Sequence, residues 1–391
     1  MLMKRSFLFI ASLVFLLTAC APNFQKEEEV KSETGDNETE TAILPKFKIS
    51  DEYYSMSLPF KTSEARGLVV NNLNSRYDIS EFESGLMRVA QNTFSTENYY
   101  FQEGQYLNSS TVASWLNRKY TAKELKDKKM SESDNVGLNP SDEDKSQAES
   151  GEMDPIYLAH ILEHDYLVKN EETNKLELGG VTIGLALNSV YYYQEKNNGS
   201  TKKKDISQQT LQREGKKIAA EVIKRLRKIE GLENVPINIA LFEQKETSSV
   251  VPGNFIAYAN AGSGESSLGE WKSINEKYVI YPNNDSQYKT ENAAFSKFQN
   301  DIEEYFPNFN GVIGKGFYIN NKLRSLSIEM KIQFYGATEV IGFSQYVAGK
   351  VMDRFKDTNQ AVQVSITSAN GEEALIVRDA GQDEPFVHIY Q

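Results

Sequence analysis

The sequence has one cysteine in 391 residues, Cys20, so neither an intrachain disulfide nor a multi-cysteine zinc site can form. Histidine is almost as scarce, with three in the chain; His160, His164 and His388 leave few options for a His-Asp-Ser site. Trp115 and Trp271 are the two tryptophans. Either could stack on a sugar, but standing singly they read as core. Positive charge is in deficit: 43 Lys and Arg face 55 Asp and Glu, a formal net charge of −12. That argues against nucleic acid, whose affinity comes from Lys and Arg on phosphates, and against a surface that clings to anionic lipid. No apolar run reaches the ~20 residues of a spanning helix, and no Leu-Pro-x-Thr-Gly wall-sorting signal is present. Gly262-Ser263-Gly264 and the glycines of 311–316 lack the Lys-Ser/Thr of a P-loop and read as turns.

What is there begins with Lys4 and Arg5, followed by 13 apolar or small residues, 6–18, without a charge. This suits a secretory leader. It ends in Leu17-Thr18-Ala19-Cys20, a lipobox-like sequence. The spacing has a chemical reason: a diacylglyceryl group is transferred to the Cys20 thiol, and lipoprotein signal peptidase then cuts between Ala19 and Cys20, where the small Ala19 admits the bond. Residues 1–19 are therefore expected as signal peptide. Without Lys4 and Arg5 the remainder carries −14. Residues 20–45 are acidic, polar and nearly free of aromatics, so they read as a disordered tether from the lipid. As a flexible coil it would reach about 25–30 Å. The expected partners are the membrane, through the lipid, and the two maturation enzymes, diacylglyceryl transferase and signal peptidase. The chain is expected on the extracytoplasmic face of the cell membrane, its acyl chains supplying about 0.8 kcal/mol per buried CH₂.

The pattern beyond residue 45 predicts an α+β fold. Residues 46–130 read as mainly helical: Phe82, Leu86, Val89 and Ala90 share a helix face opened by Ser80 and Glu83, and a second helix starts near Ser109. An acidic linker, 131–155, follows. Asp142 and Asp144 hint at a calcium loop, but Gln147 stands where an EF-hand needs glycine; a solvated loop fits better. Two similar strand–helix–strand–strand units, 156–285 and 286–391, complete the chain. In the first, a strand at 181–193 precedes an amphipathic helix at 215–230 and strands at 235–242 and 255–259. In the second, 326–334 alternates with period two, Val340, Phe343, Val347 and Val351 mark a helix, and strands follow at 362–366, 374–377 and 386–390. Lys202-Lys203-Lys204 reads as a solvated charge run in a loop.

One motif invites a catalytic reading. His160-Ile161-Leu162-Glu163-His164 matches H-x-x-E-H, a zinc-peptidase pattern in which two histidines one helical turn apart hold zinc and the glutamate acts as base. Residues 154–168 have helical spacing, with Asp154 as a cap and Pro155 just inside. The plainer reading, two histidines on a polar helix face, is preferred. No catalytic residue, metal or cofactor is expected.

Several strings together resemble a known family: Leu58-Pro59-Phe60-Lys61, Ser63-Glu64-Ala65-Arg66-Gly67-Leu68, Gly137-Leu138-Asn139-Pro140, Thr182-Ile183-Gly184-Leu185-Ala186-Leu187-Asn188-Ser189-Val190-Tyr191-Tyr192-Tyr193 and Val387-His388-Ile389-Tyr390. With the lipobox and acidic tether they resemble the CamS family of sex pheromone precursor lipoproteins of Firmicutes. The resemblance implies that the cleaved leader is processed to a hydrophobic heptapeptide conjugation pheromone. Here that stretch is Leu13, Val14, Phe15, Leu16, Leu17, Thr18 and Ala19. The mature part is expected to be non-enzymatic, with a ligand the resemblance does not supply. The alternatives are a lipid-anchored solute- or cell-wall-binding protein, or a zinc peptidase using His160, Glu163 and His164.

Overall fold

A computed structural model describes residues 28–33, 39–45, 47–141, 154–194, 200–305, 311–334 and 336–390. The leader and Cys20 lie outside them, as do Asp142, Asp144 and Gln147. The fold is α+β, built on two large sheets.

The first sheet is centred on β6 (Lys175–Asn188), whose run 181–187 is buried on both faces. That is why its sequence reads as almost continuously apolar. On one side of β6 lies antiparallel β5 (Leu158–Asn170), then β4 (Tyr100–Glu103) and β3 (Ser55–Met56). On the other lie parallel β9 (Ile237–Gln244), then antiparallel β10 (Asn254–Ala261) and β11 (Lys272–Ser273). After a short helix α1 (Val69–Asn72), α2 (Arg76–Ala90) covers one face, packing Phe82, Leu86 and Val89 on Ala186, Phe242 and Phe255. The other face is covered by α3 (Ser109–Leu116) and α5 (Gln208–Leu226), with Trp115, Ile218, Val222 and Leu226 in the core; α4 (Ala122–Lys128) adds Leu125. Gly184 lets α2 approach, since a Cβ there would meet the Phe82 ring at 2.8 Å.

The second sheet runs in sequence order: β12 (Glu276–Tyr281), β13 (Val312–Ile319), β14 (Lys322–Lys331), β15 (Ala361–Ser368), β16 (Gly371–Arg378) and β17 (Phe386–Ile389). Helices α6 (Lys289–Tyr305) and α7 (Ala337–Arg354) pack together and supply Phe298, Phe343 and Val347 to its core. Each sheet has one parallel pair within the matched strands, β6/β9 and β14/β15, bridged by α5 and α7; β4, β5, β6, β9, β10, β11 and β12 to β17 have the same order.

Several expectations change. Residues 154–168 are not helical: β5 occupies most of the segment, and Ile161, Tyr166 and Leu167 are buried with both sheet faces covered, which blurs the period-two signal. Part of the expected tether is a hairpin, β1 (Glu28–Glu33) with β2 (Thr39–Leu44). Val30, Ala42 and Leu44 bury against Leu167 and Leu176, and β1 pairs in parallel with β6 at Lys175 and Leu176. α2 starts at Arg76, not Ser80, because Ser75 Oγ caps the Asp78 N–H at 3.0 Å. Gly314 and Gly316 sit inside β13 and not in a turn; a Cβ on Gly314 would lie 2.4 Å from the Phe295 ring. Lys202, Lys203 and Lys204 are in β8 (Thr201–Asp205), paired with β7 (Val190–Gln194). Within the expected linker, Leu138 and Asn139 are buried; Asn139 accepts from Leu158 N at 2.8 Å and donates to Leu158 O at 3.0 Å.

Candidate functional site

The H-x-x-E-H segment lies on β5, and the strand gives it different chemistry. Alternation turns His160, Leu162 and His164 toward α2, and Ile161, Glu163 and Asp165 toward α3. Four residues along a strand separate the two histidines by about 13 Å, too far to share one ion. Glu163 is on the opposite face. Among the described residues no group of three or more His, Cys, Asp or Glu could hold a metal.

Glu163 is held by the turn after β4. Its carboxylate accepts from Leu107 N at 2.7 Å and Tyr106 N at 3.1 Å, and its carbonyl accepts from Gly104 N at 3.1 Å. A Cβ on Gly104 would strike the Glu163 side chain at 2.4 Å. Asp165 Oδ2 accepts from Gln105 N at 3.0 Å, while Oδ1 has no hydrogen-bond partner among the described residues. Burial and the neighbouring Glu163 carboxylate push the Asp165 carboxyl well above its usual range. Burial raises the Glu163 carboxyl as well, against the pull of the Leu107 and Tyr106 N–H groups. Burial and the two carboxylates push the Tyr106 phenol up to about 12. Glu163 and Asp165 Oδ2 thus clamp the turn to β5.

Beside β5, reaching residues of both its faces, is a cavity of about 200 Å³. His160, Glu163 and His164 line it with Phe101, Met87, Leu162, Leu107 and Val112, and residues 60–67 roof it with Phe60 and Arg66. Glu103 pins the roof: its Oε2 accepts from Ser63 N at 2.7 Å, and its Oε1 stands 3.5 Å from Arg66 Nε. Glu83 stands exposed at the mouth. Partial desolvation and the charge of Glu103 raise its pKa, against the pull of Arg66. Burial lowers His160 to about 4 and His164 to about 3, so both rings are neutral at physiological pH. Asn72 Nδ2 lies 3.2 Å from His160 Nδ1; with the amide as donor, the His160 proton sits on Nε2. His164 packs edge-on to Phe101 at 4.9 Å, and its buried Nδ1 has no hydrogen-bond partner among the described residues.

The motif thus marked the right strand for the wrong reason. Sequence reasoning did not find Phe60, Arg66, Glu83, Met87, Phe101 or Glu103 as cavity residues. The signal for the roof was the pair of family-like strings at 58–61 and 63–68. Trp115 is in the first core and Trp271 packs against it, while His388 lies in β17 opposite Leu375. Cys20 and residues 13–19 lie outside the described residues.

The architecture is that of a two-sheet α+β protein with a partly open, mainly apolar cavity in its first sheet unit. The family described as CamS sex pheromone cAM373 precursor matches residues 60–384, and the chain belongs to it. A solved structure of a sex pheromone precursor from Lactobacillus salivarius subsp. salivarius is 32% identical, with a TM-score of 0.79 over 89% of this chain and 98% of that one. The C-terminal domain of the sex pheromone staph-cAM373 precursor from Staphylococcus aureus is 33% identical, with a TM-score of 0.68 over 82% of this chain and 98% of that one. No curated protein matches this chain.

Proposed function

We propose that this chain is a surface lipoprotein of dual use: its leader is processed to the heptapeptide 13–19, and its body is a non-enzymatic binding module held at the membrane through diacylglyceryl-Cys20. The observation that carries the reading is the lone cysteine placed directly after Leu17-Thr18-Ala19, in a chain of the pheromone precursor family. The heptapeptide has no charged side chain and five large apolar ones, Leu13, Val14, Phe15, Leu16 and Leu17. It can leave the bilayer once a second protease has cut before Leu13. The whole leader, with Lys4 and Arg5, would stay behind. Binding by the body is supported by the cavity beside His160 and His164.

The test is Cys20→Ala in the native host with a fatty-acid label. The variant should lose both label and membrane fractionation; retention of either overturns the anchor. Mass spectrometry of the supernatant should find Leu-Val-Phe-Leu-Leu-Thr-Ala from the unaltered chain. Since β1 begins at Glu28, seven residues, 21–27, separate Cys20 from the first strand. They span at most about 25 Å, so an anchored body would stand close to the bilayer.

A further inference from the structure

The two most exposed large apolar side chains among the described residues lie two positions apart, Phe47 at 82% and Ile49 at 78%. Single apolar residues on a surface are ordinary; a pair presented together needs a reason. Lys48, between them, turns the other way. It is partly buried, its Nζ stands 3.1 Å from Asp51 Oδ1, and it lines a cleft with Thr96 and Tyr100. Alternation along an extended segment then directs Phe47 and Ile49 outward together. Tyr53 is exposed just beyond them. The body holds this segment from behind: Thr96 Oγ1 donates to Asp51 O at 2.8 Å, and Gln91 Nε2 donates to Glu52 O at 2.7 Å.

The β1/β2 hairpin sets what these side chains meet. Glu28 faces Leu44, so the chain enters β1 and leaves β2 at the same end. Facing residues on antiparallel strands have Cα atoms about 5 Å apart, and the chain from Leu44 to Phe47 spans at most about 11 Å. Phe47 therefore lies within about 16 Å of the point from which residues 21–27 lead back to Cys20. A diacylglyceryl group on Cys20 brings that end to the bilayer first. There an apolar pair can bury at the boundary of headgroups and acyl chains, and a tyrosine is favoured at headgroup level. Glu29, Asp51 and Glu52 are exposed nearby, so the attraction comes from apolar burial and not from lipid charge.

We propose that Phe47, Ile49 and Tyr53 insert into the outer leaflet beside the lipid of Cys20, a second contact that orients the body on the membrane. The proposal rests on the reading of Cys20 as the anchor. A lipid on a tether keeps a protein at the surface but leaves its orientation free. A rigid apolar point at the root of the tether removes that freedom.

The test uses the full chain, matured in its native host and placed in phosphatidylcholine vesicles with brominated acyl chains, which quench indoles that reach the hydrocarbon. Trp115 and Trp271, in and against the first core, supply the baseline. Phe47→Trp is expected to add an indole that loses most of its emission to bromine, and Ile49→Asp added to it should relieve the quench. Phe47→Ser with Ile49→Ser, at two outward side chains, should leave the urea midpoint unchanged. It should speed transfer of the lipidated chain between vesicles about tenfold, the worth of burying one large apolar side chain. Quenching no greater than the baseline, in a chain that carries the fatty-acid label, overturns the contact and leaves the anchor standing. A quench seen only with anionic lipid overturns it too, because charge then holds the segment. If the chain carries no fatty-acid label, the anchor reading falls and the proposal with it. If a labelled, unquenched chain sediments as a dimer that Phe47→Ser with Ile49→Ser dissolves, the pair joins two copies and the membrane contact is wrong.

Discussion

Arg88 joins the two sheet units, and removing it is the sharpest test of how they are held. From α2 its Nε donates to Glu276 Oε1 at 3.0 Å, and its Nη2 donates to Glu276 Oε2 at 2.8 Å and Glu81 Oε1 at 2.5 Å. The guanidinium lies over Phe317 at 4.6 Å, and Tyr278 donates its hydroxyl to Glu81. The Glu81 and Glu276 side chains are 7% and 6% exposed, against 29% for Arg88. Arg88→Met keeps the stem and deletes the charge, leaving two buried carboxylates without a counterion. Breaking a buried pair costs about 3–5 kcal/mol; the partial exposure of Arg88 puts the expectation at the lower end, about 3 kcal/mol. The loss should depend on pH. Burial raises the Glu81 pKa, and Arg88 is the main force holding it down. Without Arg88 the folded carboxyl rises further above its unfolded value, so the folded state binds more protons and stability falls as pH rises. Urea denaturation at pH 5 and pH 8 should show the larger loss at pH 8, and Glu81→Gln added to Arg88→Met should recover part of it. A loss below about 1 kcal/mol, as for a surface pair, and equal at both pH values would refute the reasoning.

Two further outcomes follow from packing and burial. Asp165 has a folded pKa raised well above its ordinary value, so its contribution is full below the unfolded carboxyl range and is lost as pH rises through the folded value; Asp165→Asn should flatten the alkaline decline in urea midpoint. Gly314→Ala places a Cβ 2.4 Å from the buried Phe295 ring and should cost about 1–3 kcal/mol by overpacking, with Phe295→Leu restoring most of the midpoint.

Legibility in the sequence followed exposure. Where one side of an element faces solvent the period shows, as in β14, whose alternation at Leu326, Ile328 and Met330 matches its burial. The same holds for the Phe82, Leu86 and Val89 stripe of α2. Where both sides are covered the period disappears. β5 carries His160, Glu163, His164 and Asp165 buried on its two faces, so polar residues appeared at a spacing that also suits a helix. β13 was hidden by Gly314 and Gly316, which are there to admit rings and not to turn the chain. The hairpin of β1 and β2 was hidden by composition: it has few apolar side chains, of which Val30, Ala42 and Leu44 are buried. The cavity was legible only in fragments, because its walls come from residues 56–69, α2, β4, Leu107, α3 and β5. Proximity between those segments is set by the sheet order and by no local pattern.

The position of α2 explains why the cavity belongs to the first unit. Three stripes of this one helix meet three surroundings. Phe82, Leu86 and Val89 face the first sheet. Glu81 and Arg88, seven residues apart, face β12 of the second sheet through Glu276 and Tyr278. Glu83 and Met87, four apart, face the cavity. A helix laid on one sheet can be displaced outward by whatever enters beneath its edge. The second sheet touches α2 at two places: Lys315 stands over Tyr77 at 5.5 Å and Arg88 over Phe317. In the second unit α6 and α7 lie against one another on their sheet. The second sheet thus touches, through Arg88 and Tyr77, the helix that supplies Glu83 and Met87 to the cavity, and contributes no residue to the cavity itself.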